Sequence, residues 1–215
     1  MAWDQAFMLP MLEMAGERIF FVPDIVYIYN LDNDINDYKV SSYMQGYLKA
    51  WVRRLPRYDR LPQAFEQPIS VAEREIVVVI PSYKNSAWAR KNLESVFSQK
   101  YERYSVIYID DSSPDDTAQK VKEIIAEHNQ EHRVRLVQNS ERKGALHNIV
   151  EAVNTMPDHA ILVMLDGDDW LKDDQVFSKV NAAYADGKTW LTYGQFELYP
   201  GETIGKCRTY PEHVM

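Results

Sequence analysis

Cysteine is nearly absent from this 215-residue chain. Cys207 stands alone, which excludes a disulfide framework and a Cys-rich zinc site and points to a reducing compartment. With no visible His or acid partner arrangement, it is also a poor candidate for a catalytic thiol. No Gly-x-Gly-x-x-Gly follows the first apolar strand, which argues against a nicotinamide or flavin site. No apolar run approaches the roughly 20 residues needed to span a bilayer. The first residues lack a basic stretch followed by an apolar core, so no signal peptide is expected, and there is no Asn-x-Ser/Thr acceptor. Positive charge is the minority, with 24 Lys and Arg against 32 Asp and Glu and a net charge of -8. A nucleic-acid backbone is therefore not an expected partner. A metal-bridged anionic ligand stays open, because a metal inverts the local charge logic. The expectation is a soluble, cytoplasmic chain of one large domain, or one domain plus a fragment.

What is present concentrates in one stretch. Ile161-Leu-Val-Met-Leu-Asp166-Gly-Asp168-Asp169-Trp170 is an apolar run that stops in three carboxylates within four residues. Such a run reads as a buried strand of a parallel sheet, with the acids at its carboxyl end, where open α/β sheets bind ligands. Three close acids repel one another, and a hard divalent metal resolves the conflict. The competing reading is a helix N-cap before Leu171, but a cap explains one acid and not three.

Residues 72–199 alternate strand and helix. Expected strands are Ile76-Val-Val-Val-Ile80, ended by Pro81, then Ser105-Val-Ile-Tyr-Ile109, Val134-Arg-Leu-Val137, residues 160–165 and Trp190-Leu-Thr-Tyr193. Between them, apolar residues at helical spacing predict helices from about Ser86, from Ser113-Pro114, from Gly144, and over residues 176–184. Gly187 reads as the glycine that follows the last of these. This order predicts an α/β fold, a Rossmann-like, mostly parallel sheet flanked by helices. It also places four polar strand ends, at 81–85, 110–111, 138–143 and 166–169, on one edge.

Residues 1–55 differ in character. Trp3 to Ala15 reads as a helix interrupted by Pro10, and Phe20-Phe-Val and Ile25-Val-Tyr-Ile-Tyr29 read as short strands around Pro23-Asp24. Met44, Tyr47, Leu48, Trp51, Val52 and Leu55 share one face of an amphipathic helix. Lys49, Arg53, Arg54, Arg57 and Arg60 make that region basic. A solvated helix face is the simpler reading, with peripheral contact to an anionic membrane as the alternative. Pro56, Pro62 and Pro68 mark 56–71 as a linker. His147 reads as a surface or packing histidine near the site edge. Gly187-Lys188-Thr189 resembles the end of a P-loop but lacks the upstream glycine, because Ala182 stands there.

Three motifs resemble those of family-2 glycosyltransferases with the GT-A nucleotide-sugar fold: Val77-Val-Val-Ile-Pro81-Ser-Tyr83-Lys-Asn85, Tyr108-Ile-Asp110-Asp111-Ser-Ser-Pro-Asp-Asp-Thr117, and Asp166-Gly-Asp168-Asp169. The resemblance covers about 75–199 and makes 72–215 a nucleotide-sugar-binding domain, truncated at its end. It implies that Pro81, Tyr83 and Asn85 line the nucleotide pocket and that Asp110 or Asp111 accepts a hydrogen bond from the base. It places Arg142, Lys143 and Gly144 near the nucleotide or diphosphate. Asp166 and Asp168 would flank the ribose and the metal–diphosphate unit, with Mn2+ or Mg2+ as the metal, and Asp169 would orient the site or bind sugar. The implied donor is a nucleoside diphosphate sugar, a UDP-sugar favoured. The implied acceptor is a hydroxyl of a glycan or lipid-linked molecule, with inversion at the anomeric carbon.

Residues 1–55 resemble the acceptor part that such a domain carries at its other end. Asp4 matches the position of the family's catalytic base, although an ordinary helix N-cap is an equal reading. Tyr27-Ile-Tyr-Asn30 resembles the family's closing segment. The chain therefore reads either as the end of one such domain joined to the start of another, or as a permuted domain whose first part folds back. An extended linker of roughly 15 residues at about 3.3 Å each is long enough for the second arrangement. The readings outside this class are a non-catalytic nucleotide-sugar-binding fragment and a nucleotidyltransferase. The latter is disfavoured because Ser82-Tyr-Lys-Asn has no glycine.

Overall fold

The backbone of β2 (Ile76–Ser82) is buried at every position, and the protein is organised around it. In the computed structural model, residues 3–35, 37–61, 72–205 and 207 are described, with backbone alone for 3–7, 37, 38, 40–42 and 45. Strand β2 lies between β3 (Tyr104–Asp110) and β5 (Ile161–Met164), parallel to both, and β4 (Val134–Gln138) extends the sheet beyond β3 in the order β4-β3-β2-β5. β-branched residues dominate β2 because both faces of a parallel sheet are covered. Ile76, Val78 and Ile80 face a core shared with α3 (Ala89–Phe97), α4 (Thr117–Glu127) and α6 (Val176–Ala183). Val77 and Val79 face α5 (Ala145–Val153), through Ile149 and Ala152.

Pro81 does not end β2, contrary to the sequence expectation. The strand runs on to Ser82, paired with Asp110 of β3. Proline is tolerated because its missing N–H falls on the β5 side, where the ladder has stopped at Val79 and Met164. The helix expected from Ser113 begins later, at Thr117. Ser113 is occupied elsewhere, its Oγ accepting from the Lys84 N–H at 2.9 Å. Asp115 Oδ1 instead takes the Thr117 N–H at 3.2 Å and the Thr117 hydroxyl at 2.6 Å.

The largest departure follows the carboxylate turn. Residues 170–171 start no helix; they form β6 (Trp170–Leu171), antiparallel to β1 (Ile19–Asn30), with Ile28 opposite Trp170. The first helix after the acids is α6, at Val176, so the helix-cap reading of the acids does not hold. On its other edge β1 runs parallel to β7 (Leu191–Tyr199), and β8 (Thr203–Ile204) closes a second sheet in the order β6-β1-β7-β8. The strand expected at 190–193 thus belongs to this second sheet. The two short strands expected around Pro23-Asp24 are one strand, with register shifts between Val22 and Tyr27 that accommodate the proline.

The N-terminal segment therefore packs on the body formed by the later residues. Helix α1 (Trp3–Ala15), with Pro10 inside it, buries Leu12 and Ala15 against Leu191. Helix α2 (Asp37–Val52) leaves a ridge of Tyr43, Tyr47 and Trp51 exposed, while Leu48 and Val52 on its other side are half-buried. The linker prolines Pro62 and Pro68 lie outside the described residues. No described helix is long and apolar enough to cross a membrane.

The core gives a direct test of this packing. Phe177 is fully buried, with its ring 5.2 Å from Tyr104 and 6.2 Å from Tyr101. Phe177→Ala is expected to lower stability by about 3–5 kcal/mol, read from urea unfolding.

Candidate active site

The acids sit where the two sheets meet. The turn of residues 165–169 leaves β5, the outer strand of the first sheet, and enters β6 of the second. The main chain of this turn is held on several sides. Leu165 N–H donates to Val79 O at 3.1 Å, Gly167 N–H to Pro81 O at 3.2 Å, and Asp169 N–H to Asp166 O at 3.0 Å. The buried Asn92 on α3 donates its Nδ2 to Asp166 O at 3.0 Å and Asp169 O at 2.7 Å. Gly167 has no room for a side chain: a Cβ would stand 2.7 Å from Asn85 Nδ2 and from Ser82 Oγ.

Asp169 is turned inward. Its Oδ1 accepts the Asn30 N–H at 2.8 Å. Burial first, then the charges of Asp166 and Asp168, hold its carboxyl well above the usual carboxylate range. The hydroxyl of Tyr27 on β1 is raised too, by burial and then by Asp169. Asp166 and Asp168 line a cavity of about 1230 Å³ together with Pro81, Tyr83, Asn85, Asp111, Arg142 and Gly144. Asp169 lines it too, so nine of the candidate site residues singled out from sequence share one cavity.

Asp111 and Asp110 part ways. Asp111 lines the cavity and grips the loop after β4: Oδ1 accepts from Lys143 N–H at 2.9 Å and Asn139 Nδ2 at 2.8 Å, and Oδ2 from Gly144 N–H at 2.8 Å. Burial works to raise its pKa, but the nearby Asn148 amide and the hydrogen bonds from Lys143, Asn139 and Gly144 prevail, and the carboxyl is lowered. Asp110 accepts a long 3.4 Å contact from Ser113 N–H, and its buried Oδ1 has no hydrogen-bond partner. Gly144 adopts φ +91°, which a side chain would strain. Arg142 lays its guanidinium 3.9 Å from the centre of the Tyr83 ring. Lys143 faces away, with Nζ 2.9 Å from Glu151 on α5. His147 also pairs with Glu151, at 3.3 Å and half exposed, in keeping with a surface role.

Cys207 is partly buried, and burial raises its thiol pKa, which disfavours the thiolate. Asp4 lies in the first turn of α1, and its side chain is outside the described residues. Met8, further along α1, lines the cavity.

The sequence reading missed a set of neutral polar groups. Ser82 Oγ accepts from the Tyr108 hydroxyl at 2.9 Å and from Asn85 Nδ2 at 3.2 Å, and Asn85 N–H donates to Thr117 Oγ1 at 3.0 Å. From the N-terminal segment, Asn33 Nδ2 reaches Asp168 Oδ2 at 2.9 Å and Asn85 Oδ1 at 3.1 Å. The available signal was an asparagine cluster directly after an apolar strand. Tyr108→Phe is expected to cost about 0.5–1.5 kcal/mol, seen as a lowered thermal midpoint.

A cation fits the donor set. Asp166 and Asp168 supply hard carboxylate oxygens, and the like charge that lifts the Asp169 pKa is what a cation would relieve. Among the described residues no group of three His, Cys, Asp or Glu side chains stands in metal-holding geometry. The fit is thus to an ion held by two carboxylates, with phosphate and water oxygens completing its shell.

Comparisons with known proteins bear on the family and the fold. Glycosyltransferase GlyA of Streptococcus pneumoniae serotype 4 is 26% identical over 106 residues, covering 49% of this chain and 14% of that protein. The mannosyltransferase PcManGT from Pyrobaculum calidifontis, in complex with GDP-Man and Mn2+, superposes with a TM-score of 0.50 at 19% identity, over 68% of this chain and 42% of that one. S. aureus TarS in complex with UDP-GlcNAc gives a TM-score of 0.43 at 20% identity, over 52% of this chain and 31% of that one. The chain thus spans less than half the length of each of these relatives. The family model described as Glycosyl transferase family 2 matches residues 77–207, more than half of the chain, and the chain belongs to that family.

Proposed function

We propose that the cavity binds a nucleoside diphosphate sugar with a divalent cation, and that the protein transfers the sugar to a hydroxyl acceptor with inversion. One observation carries this reading: three carboxylates, a loop gripped by Asp111, and the Tyr83–Arg142 pair surround one cavity at the carboxyl ends of β2, β3 and β5. Arg142 covers one face of the Tyr83 ring, so a base would stack on the other face, with the guanidinium as a cation for the phosphates. The N–H groups of Lys143 and Gly144 are already committed to Asp111, so Asp111 shapes the loop rather than the ligand. Asp110, with an unpartnered buried oxygen, is the better candidate to accept from the base.

Asp166 and Asp168 would hold the cation, Mn2+ or Mg2+. Bound there, it would supply charge neutralisation as the diphosphate departs. Asp169, buried and bonded to Asn30, orients the turn. Asp4, in the first turn of α1, is the proposed base for the acceptor hydroxyl. The acceptor is a hydroxyl of a glycan or lipid-linked molecule, and the exposed Tyr43–Tyr47–Trp51 ridge with its neighbouring arginines is where peripheral membrane contact would fall.

The test is calorimetric titration of UDP and of GDP, with and without Mn2+, on wild type and on the Asp166→Ala/Asp168→Ala pair. Metal-dependent binding of one nucleotide, lost in the double variant, is the expected result. No binding of either nucleotide by the folded wild type would overturn the reading.

A further inference from the structure

The N-terminal segment reaches the carboxylate turn from outside the matched family region of residues 77–207, and it does so with two asparagines. Asn30 donates its main-chain N–H to Asp169. Asn33, buried, divides its Nδ2 between Asp168 Oδ2 and Asn85 Oδ1. We propose that Asn33 is a positioning residue for cation binding, which locks the Asp168 carboxylate against β2 and makes the segment after β1 a working wall of the donor site. The inference rests on the donor-site reading above.

The geometry supports this in three ways. An amide nitrogen carries two hydrogens, and Asn33 has an acceptor for each, Asn85 Oδ1 buried and Asp168 Oδ2 part-buried, so both the place and the rotation of its side chain are set. Asn33 Oδ1 accepts the Ile35 N–H at 3.3 Å, which turns the amide nitrogen toward the acids. Beyond Asn85 the chain of bonds continues to Ser82 and to the Tyr108 hydroxyl, so Asp168 is tied through Asn33 to the interior of the main sheet. A neutral donor is also the suitable partner here. A lysine or arginine in its place would neutralise Asp168 and compete with a cation, whereas an amide orients the carboxylate and leaves its charge for the ion.

Removing an outer partner of a metal ligand costs about 10–100-fold in metal affinity. The test compares wild type with Asn33→Ala and Asn33→Leu, the second of similar size and neutral but without the donor. Three quantities are read: the thermal midpoint without ligand, the Kd of Mn2+ alone by electron paramagnetic resonance, and the UDP and GDP Kd with and without Mn2+. The expected result is a loss of about tenfold or more in Mn2+ affinity and in the metal-dependent gain of nucleotide affinity, with metal-free nucleotide binding little changed. A purely structural role would weaken nucleotide binding equally with and without metal, and that result overturns the inference. So does unchanged Mn2+ affinity in either variant. If Asn33→Ala fails to fold, Asn33→Ser, which keeps a hydroxyl donor in less volume, is read against Asn33→Leu. Retention of Mn2+ affinity in the serine variant alone supports the inference, and equal loss or equal retention in both overturns it. Failure of wild type to bind any nucleotide overturns the donor-site reading itself, a result distinct from failure of Asn33 alone.

Discussion

Gly167→Ala is expected to lower the thermal midpoint and to abolish measurable metal-dependent nucleotide binding, although the change adds a single methyl group. That methyl would sit 2.7 Å from Asn85 Nδ2 and Ser82 Oγ, and 2.8 Å from Ser82 Cβ. The Cβ is bonded directly to the backbone of β2, so it can move only if the strand moves. Strand β2 is buried throughout, and Ser82 is paired with Asp110 of β3. The alternative is for the turn to lift away, which breaks the Gly167 N–H bond to Pro81 and shifts Asp166 and Asp168 on either side. Overpacking of this kind costs about 1–3 kcal/mol, a drop on the order of 5 °C for a chain of this size. The loss of binding is larger than the loss of stability, because displaced carboxylates no longer converge on one ion. Differential scanning fluorimetry with and without Mn2+ and nucleotide separates the two effects. A variant of wild-type stability that still gains stability from Mn2+ and nucleotide would contradict this account of the turn.

The second large effect is expected at Asp111, and it contrasts with its neighbour. Asp111→Ala leaves the N–H groups of Lys143 and Gly144 without their acceptor; Asn139 keeps one in Asn148 Oδ1. Two part-buried main-chain donors without partners cost about 2–4 kcal/mol together. The loop carrying Arg142 is then expected to leave the Tyr83 face, so nucleotide affinity falls in parallel. Asp110→Ala is expected to change stability by much less, since one of its oxygens has no hydrogen-bond partner and the other a 3.4 Å contact. Its effect should fall on nucleotide binding instead. Because the Asp111 pKa is lowered on folding, its stabilisation is present above the ordinary aspartate value of about 4. It is lost as pH falls through the lowered folded value. In Asp111→Ala that part of the acid limb should disappear from a plot of stability against pH. Equal stability of the Asp110 and Asp111 variants would show that the loop does not depend on this carboxylate.

How much of this was legible beforehand differs by region. The strands around 76–80, 105–109, 134–137 and 161–164 were readable because each is a short apolar run bounded by polar residues, and local pattern is enough to place them. The convergence of their polar ends on one edge followed from the handedness and order of β-α-β units alone. The fate of Trp170-Leu171 was not readable. Two apolar residues after an acidic turn suit a helix start as well as a strand. What makes them a strand is β1, a partner about 140 positions earlier in the chain. Pro81 misled for a similar reason: a proline ends a strand only where its missing N–H would have been used, and on β2 the neighbouring ladder stops before it. The exposed ridge of α2 shows the limit of periodicity, which identifies an apolar face without saying what, if anything, covers it.

The sequence by itself determined the main parallel sheet, the family, the carboxylate turn and nine of the residues lining the cavity. These are encoded in short stretches whose chemistry is complete within a few positions: an apolar run, a strand-end acid, a cluster of like charges. The tertiary structure decided which acid grips the loop and which holds an unpartnered oxygen, why the turn needs glycine at 167, and how Asn30 and Asn33 reach it. Each depends on which hydrogen-bond partner a side chain meets across the fold. An amide or a carboxylate within a sequence carries no information about a partner more than a hundred residues away.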